Sequence, residues 1–371
     1  MTHIHRALPR RGLATILLAA VALFALACGD GTGGTPTATS TAAPTGAATE
    51  GTGTASPTGT PASTATPADG ASEATLMLNW TPNAQHAGIY VALANGWYEE
   101  AGLDLDIIEP AAAGADQAVG AGSVEFGISQ AESLLPARAA GIPVVSIAAI
   151  LPHNDSSFMA LAASGIERPR DFEGKTYGGF GGALETELLN TLVECDGGDP
   201  ALVERVEVGN IDYLAGMEQG RFDFVWIFEG WDALRAREVE SRDINTVKFV
   251  DWLDCIPDWY TPTFIASEST IADQPELVRA FVEATARGYE AAIADPEGAA
   301  DALLAAAPEL DEQLVRLSTT YHAPHFVGEG PWGSQDGEVW TRFADFLLEA
   351  GLLDAAVDAE AAFTNEFVPA S

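Results

Sequence analysis

Lysine is almost missing from this chain of 371 residues: only Lys175 and Lys248 occur, and with arginine the basic residues number 17 against 54 acidic ones. The formal net charge of −37 gives a surface that repels phosphate backbones and anionic headgroups, which excludes nucleic acid as a partner. No single acidic block dominates, so the charge reads as a solvated surface rather than as chemistry. Enzyme signatures are equally scarce. The chain has no G-x-S-x-G elbow, no H-E-x-x-H pair and no G-x-x-x-x-G-K-[ST] loop. In His322-Ala-Pro-His325 the proline breaks helical spacing and no third ligand is evident, so this stretch reads as a loop with exposed imidazoles rather than a metal site. Neither a metal nor a cofactor is expected. Cysteine is confined to Cys28, Cys195 and Cys255.

Apolar side chains make up 47% of the chain, enough for a large core and more than one lobe. Proline aside, apolar side chains larger than alanine are absent from residues 29–73. Residues 1–27 carry Arg6, Arg10 and Arg11 ahead of an apolar run from Leu13 to Ala27, which fits an export signal; the run is too short and Ala-rich for a permanent span of about 20 apolar residues. It ends in Ala25-Leu26-Ala27 directly before Cys28, which looks like the lipobox of bacterial lipoproteins, where cleavage leaves a lipid-modified N-terminal cysteine; Ala-x-Ala also fits ordinary secretory cleavage. The expectation is a lipid on Cys28 holding the protein outside the cytoplasm on the cell membrane, since several acyl chains on one residue anchor stably. Residues 28–73 are nearly all Thr, Ala, Gly, Ser and Pro. Such a composition buries no core and reads as an extended, disordered tether. With Cys28 assigned to lipid, Cys195 and Cys255 are left either as one disulfide or as two separate structural thiols, and sequence spacing does not choose between them.

The folded part begins near Ala74. Leu76 to Asn79 reads as a buried strand, Ala87 to Ala94 as a helix ended by Gly96, and Leu103 to Ile108 as an alternating strand. A helix at Asp116 to Ala121 leads to a strand at Val124 to Ile128, and Val144 to Ile150 is the next strand. Lys175 to Tyr177, Val206 to Val208 and Phe222 to Ile227 continue the alternation, so the fold class is α/β. Gly122-Ser-Val-Glu-Phe126 is echoed by Gly220-Arg-Phe-Asp-Phe224, each a helix ending at glycine before a strand. The echo predicts two similar lobes. Phe158 to Ala163 and Thr263 to Ala266 are read as the extended crossings between them, and the helical sequence from Pro275 to Leu353 as completing the first lobe. The predicted division is a first lobe of residues 74–162 and 265–371 enclosing a second lobe of residues 163–264.

Ligands of open parallel sheets gather at the carboxyl ends of the strands, and Asn79, Trp80 and the loop to His86 stand at such an end. Gly178-Gly-Phe-Gly-Gly182 follows a strand and opens a helix, but Leu184 stands where the third glycine of G-x-G-x-x-G belongs, so the dinucleotide reading fails on spacing. Its exposed N–H groups suit a ligand acceptor atom; a tight turn without a ligand is the alternative. Glu185, in the first turn of that helix, suits the helix dipole without any function. Facing a cleft, its carboxylate takes two hydrogens from an aminopyrimidine edge. Trp226 reads as core, whereas Trp80, Trp231 and Tyr260 lie beside Asn79, Glu229 and Asp258, a mixture suited to stacking on a flat ring and binding its edge. Gln130, after the strand ending at Ile128, and Phe180, within the glycine run, complete the candidate set.

LNWTPNAQHAGIYVALANGWYEEAGLDLDIIEP, GSVEFGIS, YGGFGGALE, FVWIFEGWDAL and DWYTPTFIAS together resemble the NMT1/THI5-like group of solute-binding proteins, whose members carry an L-[ND]-W-x-P-x-x-x-H loop followed by a helix and G-[WYF]-[YF]-x-x-x-G-L. The resemblance covers most of residues 74–353. It implies a two-lobed, type II periplasmic-binding-protein fold that closes on a small ligand and passes it to an ABC permease. YGGFGGALE and FEGWDAL look most like the branch that carries thiamine pyrimidine precursors, such as a hydroxymethyl- or formylaminopyrimidine; riboflavin, a sulfonate or another nitrogenous compound is the alternative. By this resemblance the ligand-binding residues are Asn79, Trp80 and His86 from the first loop, Glu185 from the glycine turn, and Glu229, Trp231 and Tyr260 from the second lobe, in a protein expected to be monomeric. The group also contains synthases that use pyridoxal phosphate and carry a Lys and a His after the strand matching Phe126 to Ile128. This chain has Ser129 and Ser133 there, and CIPDWYTPTF in place of their cysteine-rich motif. Binding rather than catalysis is the expectation.

Overall fold

The computed structural model describes residues 71–370. The export signal, Cys28 and the tether up to residue 70 lie outside the described residues. The first strand of the described residues, β1, is Ser72–Met77; it takes in Ser72 and Glu73, ahead of the start near Ala74 expected from sequence, because β1 pairs in parallel with β2, Leu103–Ile108, from its first residue.

The strands that follow are β3 Phe126–Ser129, β4 Val144–Ala149, β5 Ser156–Leu161, β6 Thr176–Gly179, β7 Glu204–Glu207, β8 Phe224–Phe228, β9 Ile244–Lys248 and β10 Thr263–Ser267. They form two five-stranded sheets in the orders β2-β1-β3-β10-β4 and β7-β6-β8-β5-β9. The orders are equivalent. In each, a central strand is parallel to one neighbour and antiparallel to the other: β3 to β1 and β10, β8 to β6 and β5. The echoed segments fall on those central strands. Gly122 and Gly220 both adopt φ +67, the left-handed conformation that lets a helix end there without a Cβ clash.

β5 and β10 are not the crossings expected from sequence. Each is a strand of the sheet it enters, so residues 156–161 belong to the second sheet rather than to the first lobe. The chain passes between sheets at residues 150–155 and again at residues 253–262. An extended apolar segment has the same pattern whether it pairs or merely spans, and only the partner strand distinguishes the two.

One face of the first sheet carries Leu76, Phe126, Ile128 and Phe264 against the long helix Pro275–Ala294, where Phe281 and Phe126 stack at 4.0 Å. That helix meets the helix Ala87–Ala94 at two glycines; a Cβ on Gly288 would lie 2.0 Å from the Gly88 carbonyl oxygen. Phe158, Tyr177, Phe224, Leu188 and Leu192 pack on one face of the second sheet, and Trp259 extends that core to the helix Gly337–Glu349 by stacking on Phe343 at 4.8 Å. The sulfurs of Cys195 and Cys255 form a disulfide. It ties the end of the helix Ala183–Cys195 to the return crossing, which resolves the choice sequence left open.

Candidate functional site

The loop after β1 is built from its own polar groups. Asn83 accepts the Gln85 N–H at 2.9 Å and so starts a short 3-10 turn, Ala84–His86. The His86 imidazole is fully buried, and burial holds its pKa down at about 3, so it is neutral. Asn83 N–H faces its Nδ1 at 3.4 Å, which assigns the ring hydrogen to Nε2, 2.9 Å from Asn79 Oδ1. His86 therefore orients Asn79 and leaves the Asn79 amide hydrogens for another partner. Trp80, the next residue, is 49% exposed and belongs to none of the apolar clusters.

On the second sheet, β6 ends at Gly179 and Phe180 follows, 51% exposed. Trp80 and Phe180 are the only exposed aromatic side chains among the described residues. Each stands just past the carboxyl end of a parallel strand, one on each sheet.

The Glu185 carboxylate, which sequence suggests is free for a ligand, is engaged by its own chain. Its two carboxylate oxygens accept from Tyr177 Oη at 3.0 Å, from Phe180 N–H at 3.0 and 3.1 Å, and from Gly182 N–H at 2.8 Å. The carboxylate closes the glycine turn and fixes the backbone that carries Phe180. It also occupies two of the N–H groups that sequence left free for a ligand. Tyr260 is likewise structural: it is buried, leans on Trp340 with ring centres 5.8 Å apart, and its hydroxyl accepts the Asp336 N–H at 2.7 Å. Trp226 packs against Phe249 and Trp259, as a core residue does.

Gln130 precedes the helix Ala131–Ala139 and is half-buried, with no side-chain cap bond. Within that helix, Glu132 is half-buried where Trp259 Nε1 donates to it at 2.9 Å, and desolvation raises its pKa to about 7.

Glu229 and Trp231 open a stretch of π-helical turns, Glu229–Val239, directly after β8. Such wide turns are rare and concentrate at functional sites. Glu229 is buried, and Ser157 Oγ donates to one of its oxygens at 2.7 Å. Trp231 reaches out of the second sheet and packs against the cluster of Tyr90, Ala300, Leu303 and Val315 behind the first, so it bridges the lobes. A pocket of about 390 Å³ lies between the lobes, with Asn154, Asp155 and Glu229 on one wall and Tyr321 and His325 on the other. Burial raises the Asp155 pKa to about 6.

Asp155 and Tyr321 escaped the sequence reading because they lack any motif. His322, read from sequence as part of an exposed loop, lies in a helix, Glu312–His325, that tolerates Pro324 in its last turn. His322 is fully buried and only His325 is exposed, which corrects the expected loop of exposed imidazoles. The spacing of Ser318, Tyr321 and His322 on one helical face was the available signal.

Two matching α/β sheets, joined by two crossings and carrying their free polar and aromatic groups at the strand ends between them, define a two-lobed binding protein of the periplasmic kind. The fold comparison agrees: the periplasmic aliphatic sulphonate binding protein SsuA from Escherichia coli superposes with a TM-score of 0.61 at 15% identity, covering 78% of this chain and 96% of that one. The chain belongs to the NMT1/THI5 like family, whose description matches residues 83–299. Among its relatives, a formylaminopyrimidine-binding protein of Halalkalibacterium halodurans is 31% identical over 78% of this chain and 89% of its own. The riboflavin-binding protein RibY of Chloroflexus aurantiacus is 32% identical over 80% and 86%. A 4-amino-5-hydroxymethyl-2-methylpyrimidine phosphate synthase of Legionella pneumophila is 30% identical over 80% and 93%.

Proposed function

We propose that this protein is the extracytoplasmic solute receptor of an ABC importer and that it holds a small aromatic heterocycle, a thiamine pyrimidine precursor, between its lobes. The observation that carries the reading is the pair Trp80 and Phe180. Exposed aromatic rings are expensive to leave in water, and two of them at the ligand-gathering ends of opposing sheets suit the two faces of a flat ring. Asn79, oriented by His86, and Gln130 supply amide groups for the ring's polar edge. The formylaminopyrimidine-binding relative supports the pyrimidine. The RibY relative, matched at similar identity and coverage, supports a second reading in which the flat ring is a flavin.

Binding is favoured over synthase chemistry because β3 ends in Ser129, whose hydroxyl donates to Asp116 at 2.7 Å, and no lysine stands there. Lys175 donates to the Ser164 carbonyl at 2.7 Å. The Cys195–Cys255 disulfide fits an oxidising compartment, and the lipid on Cys28 and the permease partner complete the proposal. Small molecules released from the purified protein and identified by mass spectrometry, then titrated by calorimetry, test the ligand. A pyrimidine that gives no heat where riboflavin does selects the second reading, and heat from neither rejects both. Radiolabelled fatty acid entering wild type but not Cys28→Ser supports the anchor; equal labelling removes it.

A further inference from the structure

Gly230 lies where the two lobes meet, and both polar groups of its backbone are engaged there. Its N–H donates to Asp155 Oδ2 at 2.8 Å, in the outgoing crossing, and its carbonyl accepts from Ser318 Oγ in the helix Glu312–His325. Tyr321, one turn on, donates its hydroxyl to the other Asp155 oxygen at 2.7 Å. Gln313 Nε2 donates to the Glu238 carbonyl at 3.2 Å, where the π-helical stretch ends. That helix packs on the Ala84–His86 turn and on the helix Pro296–Ala306, and so belongs with the first sheet. Glu229 to Val239 follow directly from β8 of the second.

The fit at Gly230 is steric as well as polar. A Cβ on this residue would lie 2.5 Å from His322 Cε1 and Nε2 and 2.7 Å from Tyr321. His322 cannot swing aside: it is fully buried and stacks on Phe326 with ring centres 5.5 Å apart. Neither ring nitrogen has a hydrogen-bond partner among the described residues. Burying an imidazole without partners costs free energy, which its packing must offset. Here its edge fills the space that a side chain at residue 230 would take.

We propose that Gly230 and the helix Glu312–His325 form a latch that holds the lobes closed, with the His322 ring seated on the missing side chain of Gly230. Ser318, Tyr321 and Asp155 are its polar grip, and Trp231 is the apolar wedge beside it. The latch rests on the two-lobed fold alone and stands whichever ligand the cleft takes.

Hydrogen exchange of the full-length protein, without ligand, tests it. Gly230→Ala adds one methyl group against His322. Peptides covering residues 226–239 and 312–325 should then exchange at least about tenfold faster, while strands β3 and β10 keep their protection. Gly230→Ala with His322→Ala restores the space and should bring both segments back to within about threefold of wild type. If Gly230→Ala exchanges as wild type does, or if the second change fails to rescue it, the latch is wrong. Should Gly230→Ala not fold, Tyr321→Phe carries the test by removing a single hydroxyl. About threefold faster exchange at residues 226–239 supports the latch, and unchanged exchange overturns it.

Discussion

Replacing Trp80 by alanine separates binding from folding. A tryptophan side chain buries about 150–250 Å² when fully covered, and Trp80 is 49% exposed, which leaves about 100 Å² for a ligand ring to cover. At roughly 25 cal/mol per Å² that surface is worth about 2.5 kcal/mol, or a loss of about 60-fold in affinity when the ring is removed. The stability change should be much smaller, below about 1 kcal/mol, because Trp80 joins no apolar cluster and its loop is held by Asn83 and His86 instead. The assay is calorimetric titration of wild type and Trp80→Ala with formylaminopyrimidine and with riboflavin, beside urea unfolding of both proteins. Affinity unchanged within about threefold for the compound that wild type binds would show that the ring does not touch ligand. A stability loss matching the affinity loss would show that Trp80 is packing.

Reduction of the bridge, or Cys195→Ser with Cys255→Ser, frees a loop spanning 60 residues and should lower unfolding stability by about 4 kcal/mol on loop-closure grounds; urea unfolding with and without reductant measures it, and a loss under about 1 kcal/mol contradicts the estimate. Glu132 carries a pH dependence of definite sign. Its pKa is raised in the folded protein from 4.5 to about 7, so the folded state keeps the proton longer than the unfolded chain does, and stability falls as pH rises through that window. Between pH 5 and pH 8 the loss from this group is about 2 kcal/mol. Glu132→Gln keeps an acceptor for Trp259 and should flatten that part of the profile while stabilising the protein at pH 8; an unchanged slope in thermal melts at the two pH values refutes the assignment.

Local pattern carried a large part of the fold. Alternating Leu and Asp in β2, the apolar run of β4 and the glycine stops at Gly122 and Gly220 each follow from backbone sterics and side-chain periodicity, and the echo between the glycine stops placed two equivalent central strands. Sequence also brought Asn79, Trp80, His86 and Phe180 to strand ends. It did not decide which way those groups turn. Glu185 and Tyr260 have the right chemistry for a ligand, yet their polar atoms are taken up by Phe180, Gly182 and Asp336 of their own chain. Whether a carboxylate or hydroxyl is free depends on donors brought to it by folding. The same holds for β5 and β10, whose pairing partners are distant in sequence, and for Cys195 and Cys255, whose Cα atoms come within 5.9 Å. His322 is the clearest case: its neighbours include Gly230 and His86, far from it in sequence, so its burial belongs to the tertiary structure alone. What the sequence by itself determined is the material at each strand end, because strand ends follow from local pattern. The tertiary structure decided which of those groups are bonded within the chain, because that depends on contacts between segments that only folding brings together.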